Sequence, residues 1–235
     1  MRDLGKQFLL IFLLAFFTVL ATHRLCEIGQ SHTWGKMRIM DETFRAEFFS
    51  EELWEQEERL SESCVSILET VAGELKYFPV PESTLDPGLG VSYVNTWMAE
   101  RNYGGTRGHE GIDIMADRNQ RGLYPVLSMT DGVVTNLGWL EQGGYRVGIT
   151  GESGTYYYYA HLDSYAGIRK GDRVAAGELL GYMGDSGYGP EGTTGNFNVH
   201  LHLGIYVYQD GEEISLNPYY VLRSLEERRL KYEFS

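Results

Sequence analysis

The stretch "NVHLH", residues 198–202, sets His200 and His202 one residue apart. Along an extended strand alternate side chains share a face, so the two imidazoles project side by side while Leu201 turns the other way. Such a pair can ligate a metal, move protons, or lie as plain polar residues on the wet side of an edge strand. A second cluster lies upstream in "RGHEGIDI", residues 107–114, which carries His109 and Asp113. It is not the helical zinc motif H-E-x-x-H, because the fifth position is Asp113 and Gly111 disfavours the helix that motif needs. On a strand, positions four apart return to one face. His109 and Asp113 can therefore converge on one ion if the backbone between them is extended, curved or bulged.

Two imidazoles, one carboxylate and one open position make a catalytic zinc site. His109 and Asp113 supply two of those ligands, and one histidine of the H-x-H pair can supply the third. Its neighbour then lies within reach of a metal-bound water without being a ligand. His161, in "YYYYAHL" at 156–162, adds a further free imidazole. Non-haem iron oxygenases use the same set of two histidines and a carboxylate, but the H-x-x-x-D spacing and the two surplus histidines fit zinc hydrolysis better. The remaining histidines, His23 and His32, fall in or beside an apolar N-terminal segment and are set aside.

The elements that must hold these residues are short strands. Beyond about residue 90 the chain becomes rich in Gly, and β-prone runs follow one another: "GVVTNLGW", "YRVGIT", "TYYYYAHL", "RVAAGELLGYM" and "FNVHLHLGIYVY". Turns such as "DG", "GG" and "KGD" separate them, with no βαβ rhythm, which predicts an antiparallel all-β sandwich or barrel. In the third run Tyr156 to Tyr159 alternate, two toward the core and two toward a groove or solvent. "GDSGYGPEGTTGNF", 184–197, makes a long loop before the histidine pair. Its default role is connection, and it is also placed to wall a groove.

Upstream, Phe44, Phe48, Leu60, Cys64, Ile67, Leu68, Val71 and Leu75 recur mostly at three- or four-residue intervals, predicting a helix or helical pair that serves as a spacer or packs on the next domain. "YFPVPESTLDPGLG", 77–90, ends that pattern as a linker or domain entry. "NPYYVLRSLEERRLKYEFS" at the C-terminus reads as a helix begun near Pro218 with a charged end. The division expected is an apolar signal peptide or signal anchor at 1–26, a helical spacer at 27–77, a β-domain at 78–218 and a helical tail at 219–235.

The 235 residues carry a formal net charge of −13 and no dense run of Lys and Arg, which excludes nucleic acid as the expected partner. At the N-terminus, Arg2 and Lys6 precede an uninterrupted apolar run, Phe8 to Ala21. As a helix that run reaches only about 21 Å, short of the ~30 Å hydrocarbon core, which favours a signal-peptide core with a small-residue cleavage site after Ala21. An uncleaved anchor would instead keep the chain at the membrane. Either way the body of the protein is expected outside the cell, membrane-anchored or secreted. Cys26 and Cys64 show no metal spacing and are given no role.

The ordered set "GGTRGHEGIDI", "YPVLSMTDGVVTNLGW", "GGYRVGI", "YYYAHL", "KGDRVAAGELLGYMGDSG" and "VHLHLGIY" resembles the lysostaphin/LytM-type zinc endopeptidases across roughly residues 78–218. The combination of H-x-x-x-D, AHL and H-x-H on a Gly-rich β pattern carries the resemblance. It implies a mainly β, antiparallel, duplicated-hybrid-motif sandwich or barrel-like catalytic domain with its site in a groove. It implies one zinc ion bound by His109, Asp113 and His202, with His161 and His200 as catalytic histidines acting on a zinc-activated water. Tyr103, six residues before His109, matches a family position that donates a hydrogen bond to the tetrahedral intermediate. The implied substrate is peptide in bacterial cell-wall peptidoglycan. The competing reading is a non-enzymatic envelope protein that binds wall peptides and activates another hydrolase. Neither the bond cut nor the oligomeric state is legible.

Overall fold

The computed structural model describes residue 18, residues 62–209 and residues 211–235. The apolar run at 8–21 falls outside the described residues except for Thr18, as does the expected spacer up to residue 61. Nor is the Cys64 side chain described.

Among the described residues the chain opens with helix α1, Glu62–Glu74, and continues as short strands. These are β1 Glu82–Ser83, β2 Val91–Ser92, β3 Glu100–Arg101, β4 Arg107–Gly108, β5 Ile112–Ala116, β6 Pro125–Leu127 and β7 Gly132–Leu140. There follow β8 Gly144–Thr150, β9 Tyr156–Tyr165, β10 Arg173–Val174, β11 Leu179–Met183, β12 His200–Gln209 and β13 Glu212–Leu216. Helix α2, Pro218–Leu225, a 3-10 turn at Glu226–Arg228 and β14, Lys231–Tyr232, close the chain.

Ten strands join in one antiparallel sheet with the backbone order β10-β7-β8-β9-β12-β5-β2; β13 pairs with β12, and β11 bridges β9 and β6. This matches the expected mainly antiparallel β class. One exception is the parallel pair β1–β14, with Glu82 opposite Lys231. It also corrects the expected helical tail. Asn217 caps α2 by accepting the Tyr219 N–H at 3.0 Å, with Pro218 suited to the first turn. Beyond Leu225 the helix gives way, and Lys231 and Tyr232 take the edge offered by Glu82 and Ser83.

Alternation along the strands builds the core. On β12, Leu201, Leu203 and Ile205 are wholly buried, as are Ile112 and Ile114 on β5 and Tyr157 and Tyr159 on β9. Burying each such aliphatic side chain contributes about 1.5–3 kcal/mol before ordering costs are subtracted. Leu68, Val71 and Leu75 of the α1 segment enter this same core, together with Val221, Leu222 and Leu225 of α2. The helix before residue 78 is thus packing, not only spacing. Glu74 at its end accepts the Ser153 N–H at 2.5 Å and the Tyr157 hydroxyl at 3.1 Å, fastening α1 to the β8–β9 turn.

Candidate active site

The site lies on the opposite face of the same strands. In the register between β12 and β5, His202 stands directly across from Asp113, and on its other side across from Ala160 of β9. His109 precedes β5 and returns to that face because the chain curves at Gly111, whose N–H donates to the His109 carbonyl at 2.9 Å. The expected curved backbone between His109 and Asp113 is present.

Gly111 serves a second purpose. A Cβ there would lie 2.5 Å from Cε1 and 2.6 Å from Nε2 of His202, and 2.6 Å from the Leu203 carbonyl oxygen. Only glycine leaves room for the His202 ring.

Three ligand atoms meet as a result. His109 Nε2 and His202 Nδ1 are 2.9 Å apart, and each lies 3.0 Å from Asp113 Oδ1. A tetrahedral zinc site with bonds near 2.0 Å has ligand–ligand edges of about 3.3 Å, a little longer than the edges of this triangle. Two imidazole nitrogens and a carboxylate oxygen brought together fit a borderline-soft divalent cation, and among the described residues His109, Asp113 and His202 form the grouping able to hold one. The outer atoms are held too. His109 Nδ1–H donates to the Thr96 carbonyl at 3.1 Å, and Arg101 donates to Asp113 Oδ2 at 2.7 Å. Burial raises the cost of charging Asp113, but hydrogen bonds from His109 and His202 and the nearby histidine charges hold its carboxyl well below the usual range.

His161 reaches the group through a distortion of β9. Tyr145 of β8 pairs with Leu162, and Val147 pairs with Tyr159, so β9 carries one residue more than β8 over that span. The extra residue makes a bulge in which His161 takes φ +62, a left-handed conformation that a β-strand residue rarely adopts. Its Nδ1–H donates to the Ser186 carbonyl at 2.7 Å, leaving Nε2 as the free nitrogen. Ser186 also braces the bulge, donating to the Leu162 carbonyl at 2.6 Å and accepting the Tyr145 N–H at 3.0 Å.

His200 is arranged in the same way. Its Nδ1–H donates to the Asn198 carbonyl at 2.7 Å, and its Nε2 lies 3.7 Å from Asp113 Oδ1. The His161 and His200 rings stand 4.7 Å apart, with His161 5.9 Å from the His202 ring. Burial lowers the pKa of His161 well below its ordinary value, and the charges of His200 and His202 lower it further. Burial also lowers that of His200, against the opposing pull of Asp113. Both shifts favour the neutral ring, the form able to accept a proton.

These five side chains line one cavity of about 580 Å³, open to solvent. Tyr188 and Phe197 of the 184–197 loop line it as well, so the loop walls the groove and does not merely connect strands. Asp185 fastens that loop, accepting the Gly195 N–H at 3.1 Å and pairing with Arg121 at 3.1 Å. Asn119 holds the strand entry by accepting the Val199 N–H at 2.7 Å. Tyr103 stands apart from the histidines, at the tip of the β3–β4 hairpin. It stacks on Tyr188 with ring centres 4.4 Å apart, and its hydroxyl is 3.3 Å from Glu141 Oε1. Arg101, Ser186, Arg121 and Asn119 are functional supports that the sequence reading missed; each acts across a long separation, and no local spacing signals it.

Residues 107–218 match the model for peptidase family M23. Over 158 residues the chain is 44% identical to an L-Ala--D-Glu endopeptidase of Bacillus subtilis (strain 168), covering 67% of this chain and 44% of that protein. Over 105 residues it is 30% identical to glycyl-glycine endopeptidase ALE-1 of Staphylococcus capitis, covering 41% of this chain and 28% of that protein. A crystal structure from Ruminococcus gnavus ATCC 29149, provisionally assigned as glycyl-glycine endopeptidase lytM, is 59% identical with a TM-score of 0.71, covering 78% of this chain and 74% of that one. The chain spans less than half the length of the curated relatives it matches.

Proposed function

Because the chain belongs to peptidase family M23, we propose that it is a zinc metalloendopeptidase that hydrolyses peptide bonds in bacterial cell-wall peptidoglycan. The observation that carries this reading is the triangle of His109 Nε2, Asp113 Oδ1 and His202 Nδ1, with edges of 2.9–3.0 Å, beside two further buried histidines. The chemistry a zinc ion supplies in such a triad is activation of a water toward a pKa of ~7 and polarisation of a carbonyl.

The protein's own residues do the rest. His109, Asp113 and His202 would hold the ion, while Arg101 donates to the second oxygen of Asp113 and steadies the carboxylate. His161 and His200, each with its Nδ1 proton committed to a backbone carbonyl, present Nε2 to the cavity. One accepts a proton from the attacking water; the other, once protonated, steadies the developing oxyanion or protonates the leaving amine. Tyr103, stacked on Tyr188, would donate to the tetrahedral intermediate once its hydroxyl turns from Glu141 toward the cavity.

The complete set of His109, Asp113, His161, His200 and His202 around one cavity speaks against a domain that only binds wall peptides. The names of the relatives point to two bonds, L-Ala–D-Glu in one and Gly-Gly in the others. The chain acts in the cell envelope, and its apolar N-terminal segment holds it at the membrane where it is not cleaved. Zinc-dependent release of peptides from purified peptidoglycan tests the proposal.

A further inference from the structure

Tyr158 and Tyr206 partition the catalytic cavity from a second cavity of about 470 Å³ on the same face of the sheet. Side chains on β12 alternate, so the face that bears His200 and His202 also bears Tyr206 and Tyr208. From β8 the second cavity receives Arg146, the residue opposite the bulge that turns His161 toward the catalytic side. Sharing those two walls, the cavities adjoin as two parts of a groove, with the histidines and Arg107 in the first part and Arg146 in the second.

Two guanidiniums in this groove lack what neighbouring arginines have. Arg101 donates to Asp113, Arg118 to Asp86, and Arg121 pairs with Asp163 and Asp185. By contrast, Nε of Arg107 and both Nε and Nη1 of Arg146 are buried with no hydrogen-bond partner among the described residues. Arg107 has only a long 3.5 Å contact from Nη1 to the adjacent Gly108 carbonyl. It also faces Arg101 directly across the β3–β4 hairpin, where Asp113 answers Arg101 alone. The acid of the second cavity, Glu213, is engaged by the Tyr208 hydroxyl at 2.5 Å. The charges of both guanidiniums act on the phenol of Tyr158, which stands between the two cavities and whose pKa burial otherwise raises.

Buried guanidinium nitrogens without an acceptor are costly, and in a substrate groove the acceptor they are built for is one the substrate brings. In a chain of net charge −13, the two cavities set Arg101, Arg107 and Arg146 against Glu110, Asp113 and Glu213, so the groove is balanced where the chain as a whole is acidic. We infer that Arg107 and Arg146 form a carboxylate subsite beside the catalytic centre, receiving the free carboxylate of an acidic residue that flanks the bond to be cut. The guanidinium fork suits a carboxylate and has no use for an uncharged amide oxygen to the same degree. The subsite therefore selects a stem-peptide bond next to an acidic residue over a Gly-Gly bridge, which offers no side carboxylate. This inference rests on the peptidoglycan endopeptidase reading.

The test uses two synthetic peptides that differ only in a carboxylate or a carboxamide on the residue flanking the scissile bond. Each is titrated calorimetrically into the full chain carrying His200→Ala, so that binding is read without turnover. The carboxylate peptide is expected to bind about tenfold or more tightly, the effect of one charge-assisted hydrogen bond. Adding Arg146→Gln or Arg107→Gln is expected to bring the ratio toward one, whereas Arg146→Lys retains part of it. Equal affinities for the parent, binding of neither peptide, or a ratio unchanged in both Gln variants would overturn the subsite. Failure of the unsubstituted chain to release peptides from peptidoglycan would instead overturn the enzyme reading, and the affinity ratio would still decide the subsite.

Discussion

His202 sits directly across from Asp113 in the register between β12 and β5, and its Nδ1 lies 3.0 Å from Asp113 Oδ1. His200, two residues earlier on the same face, reaches the same oxygen only at 3.7 Å and through Nε2. A strand register thus divides two like residues into one that completes a triangle with His109 and Asp113 and one that stands beside it.

That division sets different losses for the two histidines. His202→Ala is expected to abolish stoichiometric zinc and hydrolysis together, while His200→Ala keeps zinc and loses hydrolysis by at least about a hundredfold, the scale of general acid–base catalysis. Elemental analysis of the purified variants beside a peptide-release assay reads both. Equal loss of metal in the two would reverse the assignment.

Gly111→Ala places a methyl 2.5 Å from the His202 ring and 2.6 Å from the Leu203 carbonyl. Displacing the ring is expected to weaken zinc binding on the order of tenfold and to cost about 1–3 kcal/mol of stability. A competitive chelator titration and a denaturant melt measure these. Wild-type affinity in the variant would show that the ring has another seat.

Arg101→Met removes the donor to Asp113 Oδ2, now at 2.7 Å. Freed of that partner, the carboxylate can rotate, and zinc affinity is expected to fall about 10–100-fold, as for other supports of ligating groups. The chelator titration that serves for Gly111→Ala reads this too, and an unchanged affinity would make Arg101 a substrate contact instead.

Tyr103→Phe removes a hydroxyl whose partner is Glu141 at 3.3 Å while keeping the ring stacked on Tyr188. If that hydroxyl turns inward to the tetrahedral intermediate, kcat falls about 100-fold or more with KM little changed. Steady-state kinetics on a defined peptide decide this. A change confined to KM would leave Tyr103 as a wall of the groove.

Much of this was legible before any coordinates. The H-x-H pair, the H-x-x-x-D spacing and the alternating tyrosines all rest on the two-residue period of a strand, and Leu201, Tyr157 and Tyr159 are buried as that period demands. Other features depend on contacts between distant residues, which no local spacing encodes. The left-handed φ of His161 follows from a bulge against β8 and from Ser186, 25 residues away along the chain. The strand at Lys231–Tyr232 depends on an edge formed by Glu82 and Ser83, far from it in sequence. Charge content also misled by averaging: a strongly acidic chain gave no hint that its groove holds two unpaired arginines.

The most direct measurement is mass spectrometry of fragments released from purified peptidoglycan by the full chain, with zinc bound and after chelation. The account predicts new peptide termini at one defined amide bond when about one zinc per chain is present, none after chelation, and recovery when zinc is restored. Zinc bound at full stoichiometry with no new termini from peptidoglycan would contradict it.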